Sequence, residues 1–148
     1  MRRTAFVCAV IIITANGSLG AKAQDRAVAR TDANSSSIVA EARRWIGTNP
    51  TEMNRLWCAR FMNFVLRRVG YPGTGSDLAR SFASYGRPVA GPRVGAIAVM
   101  RRGNSGGHVG VVSDIDPDGN PIIISGNHNH RVGVGTYRRE RIYAYVMP

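Results

Sequence analysis

A cysteine, a histidine and an asparagine occur along the chain in an order that suits nucleophilic catalysis. They are Cys58, His108 and Asn127. A cysteine attacks a carbonyl carbon as its thiolate, which a helix N-terminus or a neighbouring imidazolium favours. An imidazole takes up and returns the proton, and a polar side chain holds the ring in the required orientation. The three residue types therefore point to acyl transfer through a covalent intermediate, if the fold brings them together.

The position of Cys58 follows from a helical pattern. Apolar residues recur three to four positions apart from Trp57 to Val69, which predicts an amphipathic helix. Gly70 and Pro72 end it. Cys58 then lies in the first turn, where exposed backbone N–H groups and the positive end of the helix dipole favour a thiolate.

His108 and Asn127 lie on the two sides of a predicted β-hairpin. His108 opens an apolar strand that extends to Ile115, and the segment 116–120, Asp-Pro-Asp-Gly-Asn, is a strong turn signal. The return strand covers 121–125. Because a hairpin pairs the start of one strand with the end of the other, we expect Asn127 near His108, with its amide oxygen holding the second ring N–H.

The remaining pattern predicts helices in the first half of the chain and antiparallel strands in the second. The fold class is therefore α+β, in one domain over residues 35–148. The other predicted elements are a helix that begins after Ser35–Ser37 and ends at Gly47, a short helix over 76–85 with Leu78 and Phe82 inward, and strands over 94–100 and 141–146.

The first residues have the features of a secretory signal peptide. Arg2 and Arg3 precede an apolar run from Ala5 to Ala15, and the segment 21–23, Ala-Lys-Ala, is a cleavage signature. We assign residues 1–23 to the signal peptide and 24–34 to a flexible leader. The apolar run is too short for a stable membrane span. Cleavage near Ala23 would place the protein in the periplasm or outside the cell.

The net charge and the number of cysteines limit the kinds of partner and of cross-link that the protein can have. The chain has 148 residues and a formal net charge of +11. Removal of residues 1–23 leaves 17 basic residues, all arginine, against nine acidic ones, and a single cysteine, Cys58. An internal disulfide is then excluded. The excess charge of +8 favours an anionic partner such as the cell envelope, whereas the scattered arginines and the lack of an aromatic-basic motif argue against nucleic acid.

Three segments of the chain resemble a known group of enzymes. These are residues 57–61, Trp-Cys-Ala-Arg-Phe, residues 107–112, Gly-His-Val-Gly-Val-Val, and the pair Gly126-Asn127. They resemble the signatures of the papain-like NlpC and CHAP enzymes, where CHAP stands for cysteine, histidine-dependent amidohydrolase/peptidase. The resemblance covers most of residues 38–148. One departure is Ala96, where this group commonly has aspartate.

The resemblance implies a papain-like fold and cleavage of amide bonds in bacterial peptidoglycan. Cys58 would be the nucleophile, and its backbone N–H would bind the oxyanion. His108 would be the general base and Asn127 the orienting group, with Ser125 and His128 as substitutes for Asn127. Trp57 and Gly107 are candidates for the substrate groove, with core packing as the other role open to Trp57. The enzyme would need no cofactor, and we expect a monomer.

Two alternatives remain open at this point. In the first, His128 and His130, two positions apart, join His108 as ligands of a zinc-dependent amidase. In the second, the chain is a basic, non-catalytic module that binds the cell envelope, and Cys58 only fills the core.

Overall fold

A computed structural model describes residues 17–103 and 106–148 of the chain. It has N-terminal helices followed by a six-stranded antiparallel sheet, so the predicted α+β class is confirmed. The helices are α1 (Gly17–Arg43) and α2 (Cys58–Arg68), with short 3-10 segments at Ala79–Ser84 and Arg139–Arg141. The strands are β1 (Arg87–Pro88), β2 (Ile97–Arg102), β3 (Gly106–Ile115), β4 (Pro121–His128), β5 (Arg131–Thr136) and β6 (Ile142–Met147).

The sheet has the strand order β1-β6-β2-β3-β4-β5, and each neighbouring pair is antiparallel. Apolar side chains cover both faces. One cluster joins the sheet to α1 and α2 and includes Cys58, Val109 and Val111. The other cluster includes Met100 and Val112, with Tyr137 packed against it. The central strand β3 is therefore buried on both faces, so packing holds its residues in fixed positions.

Helix α2 matches its prediction to within one residue at each end. Its inward face is completely buried, because apolar side chains follow the helical period. Those side chains are Phe61, Met62, Val65 and Leu66. The helix packs against β3 and β4, and this contact fixes the position of its N-terminus over the sheet.

The predicted flexible leader, residues 24–34, is helical and forms part of α1. Its alanine, glutamine and arginine residues are strong helix formers, and neither glycine nor proline interrupts it. Ser37, expected to precede a helix, lies inside α1, and its hydroxyl donates to the carbonyl of Asn34 at 2.7 Å. Residues 1–16 of the predicted signal peptide lie outside the described residues, and 17–23 begin α1. Within the described chain, no helix is long and apolar enough to cross a membrane.

The C-terminal end of α1 and the third predicted helix also differ from expectation. Helix α1 ends at Arg43 rather than Gly47, because the following residues turn to meet β5, where the Gly47 N–H donates to the Val132 carbonyl at 2.9 Å. The predicted helix over 76–85 is only a 3-10 segment. Phe82 is buried as expected, but Leu78 is 53% exposed, since it precedes the segment.

The hairpin between β3 and β4 forms as predicted. The Asn120 backbone N–H donates to the Asp116 carboxylate at 2.7 Å and closes the turn. Strand β4 extends to His128, further than expected, with a register shift between Ser125 and His128. Asn127 lies in that bulge with a φ of 55°.

Strand β5 was not predicted. Its glycines have low strand propensity, but they leave room for the ring of His128. An added Cβ at Gly133 would lie 2.8 Å from that ring, and one at Gly135 would lie 3.1 Å from it. The glycines of β5 are thus explained by the space that the His128 ring occupies and not by a strand pattern in the sequence.

Candidate active site

Cys58 is the first residue of α2 and is 5% exposed. The backbone N–H groups of Val109, Ala59 and Cys58 itself interact with its sulfur. The residue before the helix, Trp57, makes no side-chain capping hydrogen bond, so the first N–H groups of the helix remain available to an anion. The sulfur therefore lies between the helix N-terminus and the backbone of the residue that follows His108.

Burial raises the pKa of the Cys58 thiol above its ordinary value. The N–H groups of Val109 and Ala59 and the charge of Arg102 lower the pKa, but not enough to offset the loss of solvent. The resting residue is therefore a neutral thiol. This differs from the thiolate expected from the helix position alone, because the sequence does not show how deeply packing buries the sulfur.

His108 is also buried, with an exposed fraction of 5%. Its Nε2 atom lies 3.0 Å from the hydroxyl oxygen of Ser125. Its Nδ1 atom is buried and has no hydrogen-bond partner among the described residues. Burial, followed by the charges of Arg102, His128 and Arg141, lowers the pKa of His108 to about 4.

The protonation states of Cys58 and His108 suit an attack in which the proton leaves the sulfur as the new bond forms. At neutral pH, His108 is an uncharged base and Cys58 an uncharged acid. If Nε2–H donates to Ser125, Nδ1 carries the lone pair that accepts a proton. A proton transfer of this kind would form the thiolate only as the sulfur attacks, without a buried charge beforehand; in this structure Nδ1 makes no hydrogen bond to the Cys58 sulfur.

The second ring nitrogen of His108 is held by Ser125, which the sequence offered as a substitute for Asn127. Ser125 reaches the ring because Gly110, between them on β3, has no side chain; an added Cβ there would lie 2.9 Å from the Ser125 Cβ. Asn127 is half-buried in the bulge beyond. It lines the same cavity as His108.

Two neighbouring cavities open beside His108. The larger has a volume of about 360 Å³ and is lined by Arg55, Leu56, Arg102, Asn127, Asn129 and His130. The smaller, about 190 Å³, shares Arg102, Asn127 and Asn129 with it and includes His108 and Arg141. Cys58 lines neither cavity. Sequence reasoning missed Arg55, Arg102 and Arg141, because isolated arginines carry no motif; the position of Arg102 at the end of β2, facing the start of β3, was the available signal.

The sequence model of the CHAP domain matches residues 48–127, more than half of the chain. The chain belongs to the CHAP family. This is the papain-like family of cysteine, histidine-dependent amidohydrolases and peptidases, so the match supports a hydrolase of the amidase or peptidase type. The matched segment begins before α2 and ends at Asn127, and it includes Cys58 and His108. No curated protein and no solved structure matches the chain.

Of the two candidates for the substrate groove of the CHAP domain, Trp57 is buried in the core and Gly107 is half-buried. Trp57 is 1% exposed, and its ring lies so close to Gly126 that an added Cβ there would come within 2.7 Å of it. Gly107 packs against the 3-10 segment, where an added Cβ would lie 3.1 Å from that of Ala79. The ring of Trp57 belongs to the core, which was the other role open to it.

The zinc alternative finds no support in the CHAP domain. His128 lies beside the hydroxyl of Tyr137 at 3.4 Å, whereas the exposed His130 contacts the carbonyl of Asn54 at 3.4 Å. Within residues 17–103 and 106–148, no group of three His, Cys, Asp or Glu side chains is arranged to hold a metal ion. The two histidines have different partners, and only His128 lines the smaller cavity with His108.

Proposed function

We propose that this CHAP protein is an exported cysteine amidohydrolase or peptidase that cleaves amide bonds in bacterial peptidoglycan. One observation carries the proposal. Within the CHAP segment, Cys58 lies at the N-terminus of α2 beside the backbone of Val109, and the adjacent His108 has Nε2 at a hydroxyl and Nδ1 unpartnered among the described residues. A structural histidine would normally have both nitrogens satisfied.

The reaction follows from these groups. The Cys58 sulfur attacks the amide carbonyl carbon while its proton passes to Nδ1 of His108. The resulting oxyanion accepts a hydrogen bond from the Cys58 backbone N–H. The C–N bond then breaks, the leaving amine takes the proton from His108, and a thioester remains. Water, deprotonated by His108, hydrolyses the thioester and restores the thiol.

Ser125 is the third member of the site in this proposal. It holds the ring through Nε2, so that Nδ1 is the basic nitrogen. Asn127, at the cavity wall beside His108, presents its amide to the substrate. This assignment gives Ser125 the orienting role expected first of Asn127, because the hydroxyl of Ser125 already occupies the position at Nε2.

Export and targeting are parts of the same proposal. The signal peptide over residues 1–23 supports delivery to the periplasm or the medium, where peptidoglycan is found. The arginine excess supports attraction to the anionic envelope. The charge also fits the alternative of a non-catalytic envelope-binding module, which the deep burial of Cys58 favours.

A digestion experiment separates the two functions. Purified peptidoglycan is incubated with the wild type and with Cys58→Ala, and the soluble products are identified by mass spectrometry. The proposal predicts new amino and carboxyl ends with the wild type alone. Sedimentation with peptidoglycan but no product from either protein would favour the binding module. Products that persist in Cys58→Ala and vanish with a chelator would instead support metal-dependent hydrolysis.

A further inference from the structure

Two adjoining cavities, the smaller of which is lined by His108, are basic, and none of the described residues that line them is acidic. Arg55 lines the larger, Arg141 lines the smaller, and Arg102 lines both. Among the described residues, none of these three arginines forms an ion pair. Other arginines of the protein do: Arg44 and Arg68 pair with Glu41, and Arg60 pairs with Asp77.

Arg102 lies near both residues of the proposed catalytic pair. It is the last residue of β2 and lines the same small cavity as His108. Its charge lowers the pKa of both Cys58 and His108, which places the guanidinium within electrostatic reach of both groups. Asn127 lies at the same two cavities and offers a neutral amide with two donors.

Unpaired guanidinium groups in a concave site select for anions of a particular shape. An arginine fork matches the two oxygens of a carboxylate, and Arg55 and Arg102 are exposed, so that an anion can reach both. The larger cavity, at about 360 Å³, can hold a short side chain of a peptide as well as its carboxylate. Leu56, 74% exposed at its wall, supplies an apolar contact for the methylene groups of such a side chain.

We propose that Arg102 and Arg55 bind a carboxylate of the substrate, so that the enzyme selects acidic peptides whose free carboxylate lies close to the scissile amide. This inference rests on the proposed function and specifies its substrate class. It also gives these two arginines a role in substrate binding, in addition to the general attraction of a basic protein to the anionic envelope. Peptides with a carboxamide at the same position are the poor substrates.

The neighbouring residue Arg101 provides a matched control. Like Arg102, it is exposed at the end of β2, but it lines neither cavity, and its guanidinium carbon lies 6.0 Å from the centre of the Tyr143 ring. Replacing either arginine by glutamine removes one charge from the end of the same strand. Only Arg102→Gln removes a charge from the cavities.

The test measures kcat/KM on two forms of one peptidoglycan stem peptide, one with a free side-chain carboxylate and one with the matching carboxamide. The wild type should prefer the carboxylate by about 3- to 30-fold, the range expected when two exposed arginines pair with one carboxylate. Arg102→Gln should cleave the two forms with nearly equal kcat/KM, whatever its overall rate, whereas Arg101→Gln should retain the preference. Arg55→Gln is a second variant, expected to reduce the preference if Arg102→Gln does not fold.

A binding measurement separates failure of this inference from failure of the proposed function. Calorimetric titration of Cys58→Ala with both peptides needs no turnover, and tighter binding of the carboxylate form would support the carboxylate site. Equal cleavage and equal binding of the two forms would overturn the inference and leave the hydrolase standing. Cleavage of neither form by the wild type would overturn the hydrolase, and equal binding in that case would overturn the carboxylate site as well.

Discussion

The Nε2 atom of His108 lies 3.0 Å from the Ser125 hydroxyl oxygen, whereas its Nδ1 atom is buried without a partner among the described residues. The hydrogen bond crosses from β3 to β4 over Gly110, where a larger residue would collide with Ser125. The ring is thus held at one nitrogen only. In the proposed mechanism, the other nitrogen takes up the proton that leaves the thiol.

Replacement of Ser125 should impair catalysis more than replacement of Asn127. In Ser125→Ala the imidazole loses the group that fixes its tautomer, and we expect kcat to fall by about tenfold, with KM little changed. In Asn127→Ala the cavity wall loses an amide, so the effect should fall mainly on KM. Steady-state kinetics on a soluble peptide substrate measure both parameters. A larger loss of kcat in Asn127→Ala would return the orienting role to Asn127.

Alkylation of Cys58 in the free enzyme should be slow at neutral pH. Burial raises the pKa of the thiol, so the reactive thiolate accumulates only in alkaline solution. The rate of iodoacetamide incorporation, followed by mass spectrometry, should therefore rise with pH through the ordinary thiol pKa and beyond. Cys58→Ala corrects for labelling elsewhere. A rate that is already constant between pH 6 and 8 would contradict the neutral resting thiol.

The stability of the folded protein should fall as pH is lowered from 7 to 5. His108 titrates at about 4 when folded and near its ordinary value of 6.5 when unfolded, so the unfolded chain binds more protons between these values. The loss in the free energy of unfolding should be about 2 kcal/mol over that interval. Urea unfolding at each pH measures it. In His108→Gln this part of the pH dependence should disappear; an unchanged slope would show that other groups cause it.

Glu41 joins α1 to α2 through a cluster that the mechanism does not use. Its buried carboxylate accepts hydrogen bonds from Arg68 and from Trp45 Nε1, the latter at 3.0 Å, and lies 3.5 Å from Arg44. Glu41→Gln removes the charge that these groups surround. We expect the free energy of unfolding to fall by about 2 kcal/mol, with kcat unchanged wherever the protein is folded.

Arg60→Gln is the matched control for Glu41→Gln. It breaks the Arg60–Asp77 ion pair, in which the atoms are 2.7 Å apart but both side chains are exposed. Exposed pairs contribute less than about 1 kcal/mol, so this variant should be nearly as stable as the wild type. Equal losses in the two variants would show that burial of Glu41 adds nothing to its ion pairs.

The sequence was sufficient to predict the elements that bear the strongest local patterns. The apolar spacing from Trp57 to Val69 located α2 and placed Cys58 at its start, and the turn at 116–120 located the hairpin that carries His108. Both depend on contacts between residues close in the chain. The same holds for the α+β class, which follows from the order of the elements.

The parts that escaped prediction depend on contacts between distant residues. Whether Ser125 or Asn127 reaches His108 is decided by the absence of a side chain at Gly110 and by a bulge in β4, and neither has a sequence period. The depth of Cys58, which reverses the expected direction of its pKa shift, results from packing of α2 on the sheet.

A double-mutant cycle tests the central claim, that Cys58 and His108 act as one catalytic unit. It compares kcat/KM of the wild type, Cys58→Ala, His108→Ala and the double variant on one peptidoglycan peptide. Because a nucleophile and its base contribute only together, each single substitution should abolish nearly all activity, and the double variant should be no worse than either. Losses that multiply in the double variant, or substantial activity in Cys58→Ala, would contradict the claim.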